Sequence, residues 1–408
     1  MIRREIPLTA FYSMLHFFVD GVCAAAMFGD YMLRRDGNRS ILLYNFCAFA
    51  LQMPFGIVLD ALNVKLEKQV SEAALQHAVS EKKKRDPNLL TAIAGVLCTI
   101  AGALTHPVLL GIGNALFHVG GGVGMICDDR ITEKNGIKES GKGNSDKKRK
   151  RLLMRLGIFV APGAVGLYLG MLLAKTGGRS AGLLCGSAAM LLVIAARYVR
   201  VRHAHPCGVS QTAMEQITES AADKEDEMRL SCYAKGNGIW FLCVSCLLVV
   251  ILRSYIGMTV TFPWKKGVFA GLSAVLAIAG GKTAGGFLAA WKGTGWTAAV
   301  SLALASVCYL FSSFMPVGLA ALFLFNMTMP LTLYWMICAL PDHAGFAFGF
   351  LTFALFLGFL PVFLNAEPSL AGNVTGSAGS LLSLLILAAG LGKYRCSVEK
   401  GIGSPFIG

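Results

Sequence analysis

The chain has 408 residues, 55% of them hydrophobic and only 15% charged, with a mean hydropathy of +0.61. Soluble domains are about 25% charged, and here the apolar residues fall in blocks of roughly 20, long enough to cross ~30 Å of hydrocarbon. That excludes a soluble globular domain. The blocks are continuous, not alternating, which excludes an outer-membrane barrel. The net charge of +14 does not point to nucleic acid, because the basic residues sit between apolar blocks, where the positive-inside rule places them.

Twelve spans are predicted, at 8–28, 41–60, 89–105, 107–127, 156–174, 181–199, 238–257, 267–290, 296–314, 316–340, 345–365 and 376–392. The first lacks a small-residue cleavage site and reads as a transmembrane helix, not a signal peptide. It carries His16 and Asp20, four residues apart and so on one helix face. The second ends in LQMPFGIVLDALN, with Asp60 at the membrane edge. The segment 61–88 follows, and its KLEKQVSEAALQHAVSEKKKR suits a short amphipathic surface helix. His106-Pro107 separates the third and fourth spans, since proline ends the preceding helix. The fourth contains GIGNALFHVGGG, which places Asn114 and His118 four apart.

Residues 128–155 contain NGIKESGKGNSDKKRKR and read as a flexible loop with a basic end suited to anionic headgroups. After the sixth span, TAMEQITESAADKEDEMR lies in a mixed-charge linker. That linker divides the chain into a six-helix half at 1–199, a connection at 200–237, a second half at 238–392 and a tail at 393–408. Arg253 lies in the seventh span and Lys282 in the eighth, about 8 residues or ~12 Å from its inner end. The tenth offers Asn326, Tyr334 and Trp335.

Of the 37 Lys and Arg residues, 28 fall on one side of this topology, 7 on the other, and Arg253 and Lys282 within spans. The bias predicts an even number of crossings with both termini in the cytoplasm. Cys243 and Cys246 have C-x-x-C spacing but no histidine or acid beside them in a lipid-length helix, so they read as small apolar side chains. No metal set and no cofactor motif is expected. The glycine-rich GIGNALFHVGGGVG of the fourth span has no strand–helix unit around it and is no nucleotide loop, and the GKT of GGKTAGG lacks the earlier glycine of an ATP-binding loop.

Ionisable groups at membrane depth are costly and face a cavity or a partner. Asp20 is the candidate proton carrier, with His16 and His118 as relays, since imidazole is the side chain whose ordinary pKa lies near neutrality. The alternative is a static buried network that orients helices. Arg253 and Lys282 outnumber Asp20 by one charge, which favours an anionic or zwitterionic substrate; Lys282 could instead snorkel to the inner surface.

The two halves repeat. LQMPFGIVLDALN (51–63) and KTAGGFLAAWKG (282–293) lie 230 residues apart, with Gly56 matching Gly286, Val58 Leu288, Asp60 Ala290 and Asn63 Gly293. Such repeats are common in secondary transporters. GGFLAAWKG resembles the signature G-x-L-A-D-R-x-G of the major facilitator superfamily, through Gly285, Gly286, Leu288, Ala289 and Gly293, with Ala290 and Trp291 in place of the acid–arginine pair. In the first half Gly56 and Asp60 match, with Ala61 where arginine is usual. GIGNALFHVGGG, LRSYIG (252–257) and GKTAGG (281–286) resemble the fosmidomycin-resistance-like branch of bacterial drug exporters.

The resemblance implies an all-α polytopic membrane protein of twelve helices in two pseudo-symmetric halves. It implies a central cavity lined by helices one, four, seven and ten, and so by His16, Asp20, Asn114, His118, Arg253, Asn326 and Tyr334. It places Asp60 in a cytoplasmic gate with Arg130 as a candidate partner. The expectation is a monomeric, multi-pass secondary transporter of the bacterial plasma membrane, with lipid, protons and a small molecule as partners and no nucleic acid. It would export a small organic molecule by alternating access, as an antiporter and not an enzyme. A transporter-derived sensor or scaffold, kept open by Ala290, and an intramembrane lipid-modifying enzyme using His106 or His118 are the alternatives.

Overall fold

The computed structural model describes residues 6–75, 86–133, 142–203, 237–364 and 372–402, and every long element among them is a helix. Span one is Ile6–Gly29. Span two is Gly37–Asn45 and Gln52–Leu75, joined by a π-helical turn at Phe46–Ala50. Spans three and four are Pro87–Leu104 and Pro107–Glu133. Span five is Lys142–Val160 and Pro162–Lys175, and span six is Arg179–His203. Spans seven to nine are Asn237–Thr259, Gly267–Lys292 and Thr294–Leu310. Span ten is Met315–Asn326 and Thr328–Ala339; spans eleven and twelve are Ala344–Phe363 and Gly372–Ile402. Eleven of these are long and apolar enough to cross a membrane, and the ninth is a shorter apolar helix.

The hydrophilic segments differ from their sequence reading. The helix of span two runs unbroken to Leu75, so 61–75 is its extension and not a separate surface helix; 76–85 lie outside the described residues. Span four continues to Glu133 and span five begins at Lys142, so most of the expected flexible loop is helix, and only 134–141 lie outside the described residues. Lys and Arg are good helix formers, and the run beginning at Asp146 gains from its own pairs: Asp146 holds Lys150 at 2.6 Å and Arg149 at 2.7 Å. Hydropathy reports where a segment meets water, not whether its backbone stops being helical. Span six likewise extends to His203, and the linker at 204–236 lies outside the described residues.

Two breaks fall inside predicted spans. Pro162 has no N–H to offer the carbonyl of Ile158, and it restarts span five from the first helical position, where a missing N–H costs nothing. In span ten the break falls between Asn326 and Thr328, where Pro330 withholds the N–H that the Asn326 carbonyl would have taken.

Span one packs against four, five and six, three against four, seven against eleven and twelve, and eight against nine and ten. The two sets of six meet through span two on span eleven and span five on span eight. Both crossings are backbone to backbone. A Cβ at Gly56 would overlap the Gly345 carbonyl, and one at Gly345 would overlap that of Gly56. A Cβ at Gly286 would overlap the Leu153 carbonyl and press on Gly157. Small residues permit such approach in lipid, where dispersion and not water expulsion joins helices. Gly56 and Gly286 are the pair matched by the 230-residue repeat, so the repeat marks two of the places where the halves touch.

Candidate functional site

His16 and Asp20 share one face of span one, and His118 meets them from span four. His16 Nε2 lies 3.2 Å from Asp20 Oδ2, His118 Nε2 lies 3.6 Å from Asp20 Oδ1, and the two Nε2 atoms are 3.0 Å apart. The rings stand edge to face, with centroids 4.6 Å apart. Asn114, one turn before His118, donates its amide to Asp20 Oδ1 at 3.1 Å and reaches Cys23 Sγ at 3.6 Å. Three of the residues proposed for proton handling and one proposed for substrate binding thus form a single cluster. His16 and Asn114 are buried, and the side chains of Asp20 and His118 are 15% and 13% exposed.

The other ring nitrogens are committed. His16 Nδ1 donates to the Phe159 carbonyl at 2.7 Å, and His118 Nδ1 donates to the Asn114 carbonyl at 2.9 Å. A carbonyl oxygen only accepts, so both Nδ1 atoms carry hydrogen. The Phe159 carbonyl is available because Pro162 interrupts span five. Its neighbours are taken in the same way: Ser13 Oγ donates to Ile158 at 3.4 Å and Lys282 Nζ to Val160 at 3.3 Å. Gly163, at the restart, gives the cluster its room, since a Cβ there would overlap His16 Nε2 and Asp20 Oδ2.

Lys282 comes from the opposite half. It lies within electrostatic range of both Asp20 and Arg253. Arg253 is buried at 8% exposure, and its Nη1 has no hydrogen-bond partner among the described residues. Of the tenth-span candidates, Asn326 donates to the Leu322 carbonyl of its own helix at 2.8 Å. Tyr334 lies among Cys338, Arg149 and Tyr394, towards the end that carries the basic run, and Trp335 Nε1 donates to Thr294 Oγ1 at 3.2 Å. Neither forms a hydrogen bond to the cluster among the described residues.

Asp60 is buried where span two crosses span eleven. Its two oxygens accept from the backbone N–H groups of Gly345 and Phe346, each at 2.8 Å, at the first turn of span eleven. Helix N-termini favour such an anion, through free N–H groups and the helix dipole. The side chain of Arg130 lies outside the described ones. Gly285 packs on the Met327 backbone within its own half, and Gly293 ends span eight at φ +96°. Where Asp60 has its repeat counterpart, Ala290, there is instead a pocket of about 540 Å³, lined by Lys150 and Met154 of span five, Phe287 and Trp291 of span eight, and Met327.

Sequence reasoning missed the Phe159 and Val160 carbonyls. The available signal was APGAVG (161–166), a proline–glycine pair inside an apolar span.

Twelve helical spans in two halves, joined through spans two and eleven and spans five and eight, make the helical fold that the sequence resemblance implies, and a solved transporter structure shares that fold. The chain aligns over 96% of its length, and over 99% of the other chain, with the crystal structure of a variant of the E. coli fucose:proton symporter FucP, at a TM-score of 0.51 and 14% identity. A structure of FucP in the outward conformation aligns over 95% and 98% of the two chains, at a TM-score of 0.46 and 13% identity. No protein-family model and no curated protein matches the sequence.

Proposed function

We propose that the chain is a secondary active transporter that carries a small organic anion by alternating access, is driven by protons, and works as an exporter in the bacterial plasma membrane. The observation that carries the anionic substrate is Arg253. A guanidinium buried in a membrane helix with a buried, unpartnered Nη1 is expensive, and a carboxylate or phosphate oxygen would offset that cost. Lys282, within electrostatic range of it, adds a second cation, whose hydrogen bond among the described residues goes to the Val160 carbonyl. The outward direction rests on the exporter-like motifs of the sequence. The driving ion rests on the same motifs and on the name of FucP, a proton symporter with the same fold.

The test is counterflow in proteoliposomes with a panel of organic anions, paired with an internal pH dye. The expected result is substrate-triggered proton movement, with substrate affinity lowered at least tenfold in Arg253→Lys, which loses the planar fork. Turnover with unchanged affinity in Arg253→Lys would remove the anion assignment. Substrate binding without turnover would favour the sensor reading.

A further inference from the structure

We infer that His16, Asp20 and His118 form a binding site for a divalent first-row transition-metal ion. The argument begins with the hydrogen count. Both Nδ1 atoms carry hydrogen, because both face backbone carbonyls. Each neutral ring therefore presents a lone pair at Nε2. The two Nε2 atoms lie 3.0 Å apart, with the Asp20 carboxylate at 3.2 and 3.6 Å. Three electron-rich groups converge on one point from two helices, and such an arrangement is stable around a cation.

The spacing fits a metal. An ion with tetrahedral bonds of ~2.0–2.1 Å spreads its ligand atoms to edges of about 3.3–3.4 Å, and the three edges here are 3.0, 3.2 and 3.6 Å, two of them measured to different oxygens of one carboxylate. All the ligand atoms lie within 4.8 Å of one another. The outer contacts fit as well. Metal-bound histidines generally donate their second ring nitrogen to a carbonyl or carboxylate, and metal-bound carboxylates are themselves hydrogen-bonded. Here Phe159 and Asn114 supply the carbonyls, and the Asn114 amide holds Asp20. Two imidazoles and one carboxylate suit zinc, cobalt, nickel or ferrous iron over magnesium or calcium, which prefer oxygen alone.

Charge completes the argument and rests on the transporter reading above. A divalent ion, Lys282 and Arg253 together exceed the single charge of Asp20 by three. An organic anion with several carboxylates would balance that excess and fill the coordination positions that three protein ligands leave over. The substrate class is therefore a complex of a divalent transition metal with an organic polyanion.

The test uses the full chain, purified in detergent and titrated with Co²⁺, Zn²⁺ and Ni²⁺ by calorimetry and visible absorption. The expected result is one ion per chain, with the d–d bands of low-coordinate Co²⁺. Affinity should fall at least 100-fold in Asp20→Asn and His118→Gln and stay unchanged in Cys246→Ala, which breaks the C-x-x-C pair of span seven. His118→Cys should restore binding and add a thiolate-to-cobalt charge-transfer band that no folding defect imitates. Absence of stoichiometric binding in the wild type would overturn the inference and leave a single proton between the rings. So would binding that survives Asp20→Asn and His118→Gln together. Metal binding is read without transport: bound metal with no anion turnover sinks the transporter reading alone, and anion turnover with no bound metal sinks this inference alone.

Discussion

Replacing Asp60 with asparagine should open the face of the protein that carries the basic run. Both carboxylate oxygens accept backbone N–H groups at 2.8 Å in a buried position. Asparagine is nearly the same size, but it keeps one acceptor and turns an NH₂ towards the second N–H. One charge-assisted hydrogen bond is lost, worth about 1.5–3 kcal/mol. The attraction of the negative charge to the start of span eleven is lost as well, about 0.3–1 kcal/mol. Together these shift the equilibrium against the closed arrangement by about 2–4 kcal/mol, roughly 30- to 900-fold. Spin labels at the exposed Val64 and Asp342 would report the separation of spans two and eleven, and hydrogen exchange at Gly345 and Phe346 would report the freed amides. Longer distances and faster exchange are expected, with Asp60→Glu closer to the wild type. An unchanged distance distribution, with exchange at both amides as slow as before, would refute the latch.

Ala290→Asp should do the reverse on the other arm. The new carboxylate would enter the pocket that Lys150 lines, tightening the span five–eight contact by up to ~1 kcal/mol, given that the lysine is half exposed. Turnover in exchange assays should slow, and an unchanged or faster rate would count against it. Gly163→Ala should push a methyl group into His16 and Asp20. Overpacking of this kind costs about 1–3 kcal/mol, so thermal unfolding should occur at lower temperature and Co²⁺ affinity should drop at least tenfold. Wild-type affinity in a stably folded Gly163→Ala protein would mean that the close packing at this glycine does not shape the cluster.

The spans were legible because lipid imposes one demand on every residue that faces it, and a run of apolar letters records that demand directly. The 230-residue repeat was legible for a related reason: Gly56 and Gly286 are under the same steric constraint, the approach of a second backbone. His16 and Asp20 could be placed on one face by helical spacing alone. Their meeting with His118 depends on how two distant spans cross, and local spacing carries no information about that. The carbonyls that orient the cluster were the least visible, since a backbone oxygen has the same identity at every position and becomes available only where the helix fails. Pro162 was the printed clue, and it was read as one more residue of a span. The basic run of span five misled in the opposite direction, because lysine and arginine leave the membrane without leaving the helix.

The break at Pro162 has a consequence for movement. Phe159 and Val160 are neighbours on one rigid piece of backbone, yet the Phe159 oxygen holds a side chain of its own half, His16, and the Val160 oxygen holds Lys282 of the other. In the alternating access proposed above, the first tie would travel with span five and the second would be left behind. Two adjacent carbonyls would then serve as a fixed anchor and a releasable one. The ammonium of Lys282 would be tethered in one state of that cycle and free in the other, while His16 kept its orientation. The chemistry presented to a bound anion would change through one freed cation, without any rearrangement of the cluster itself.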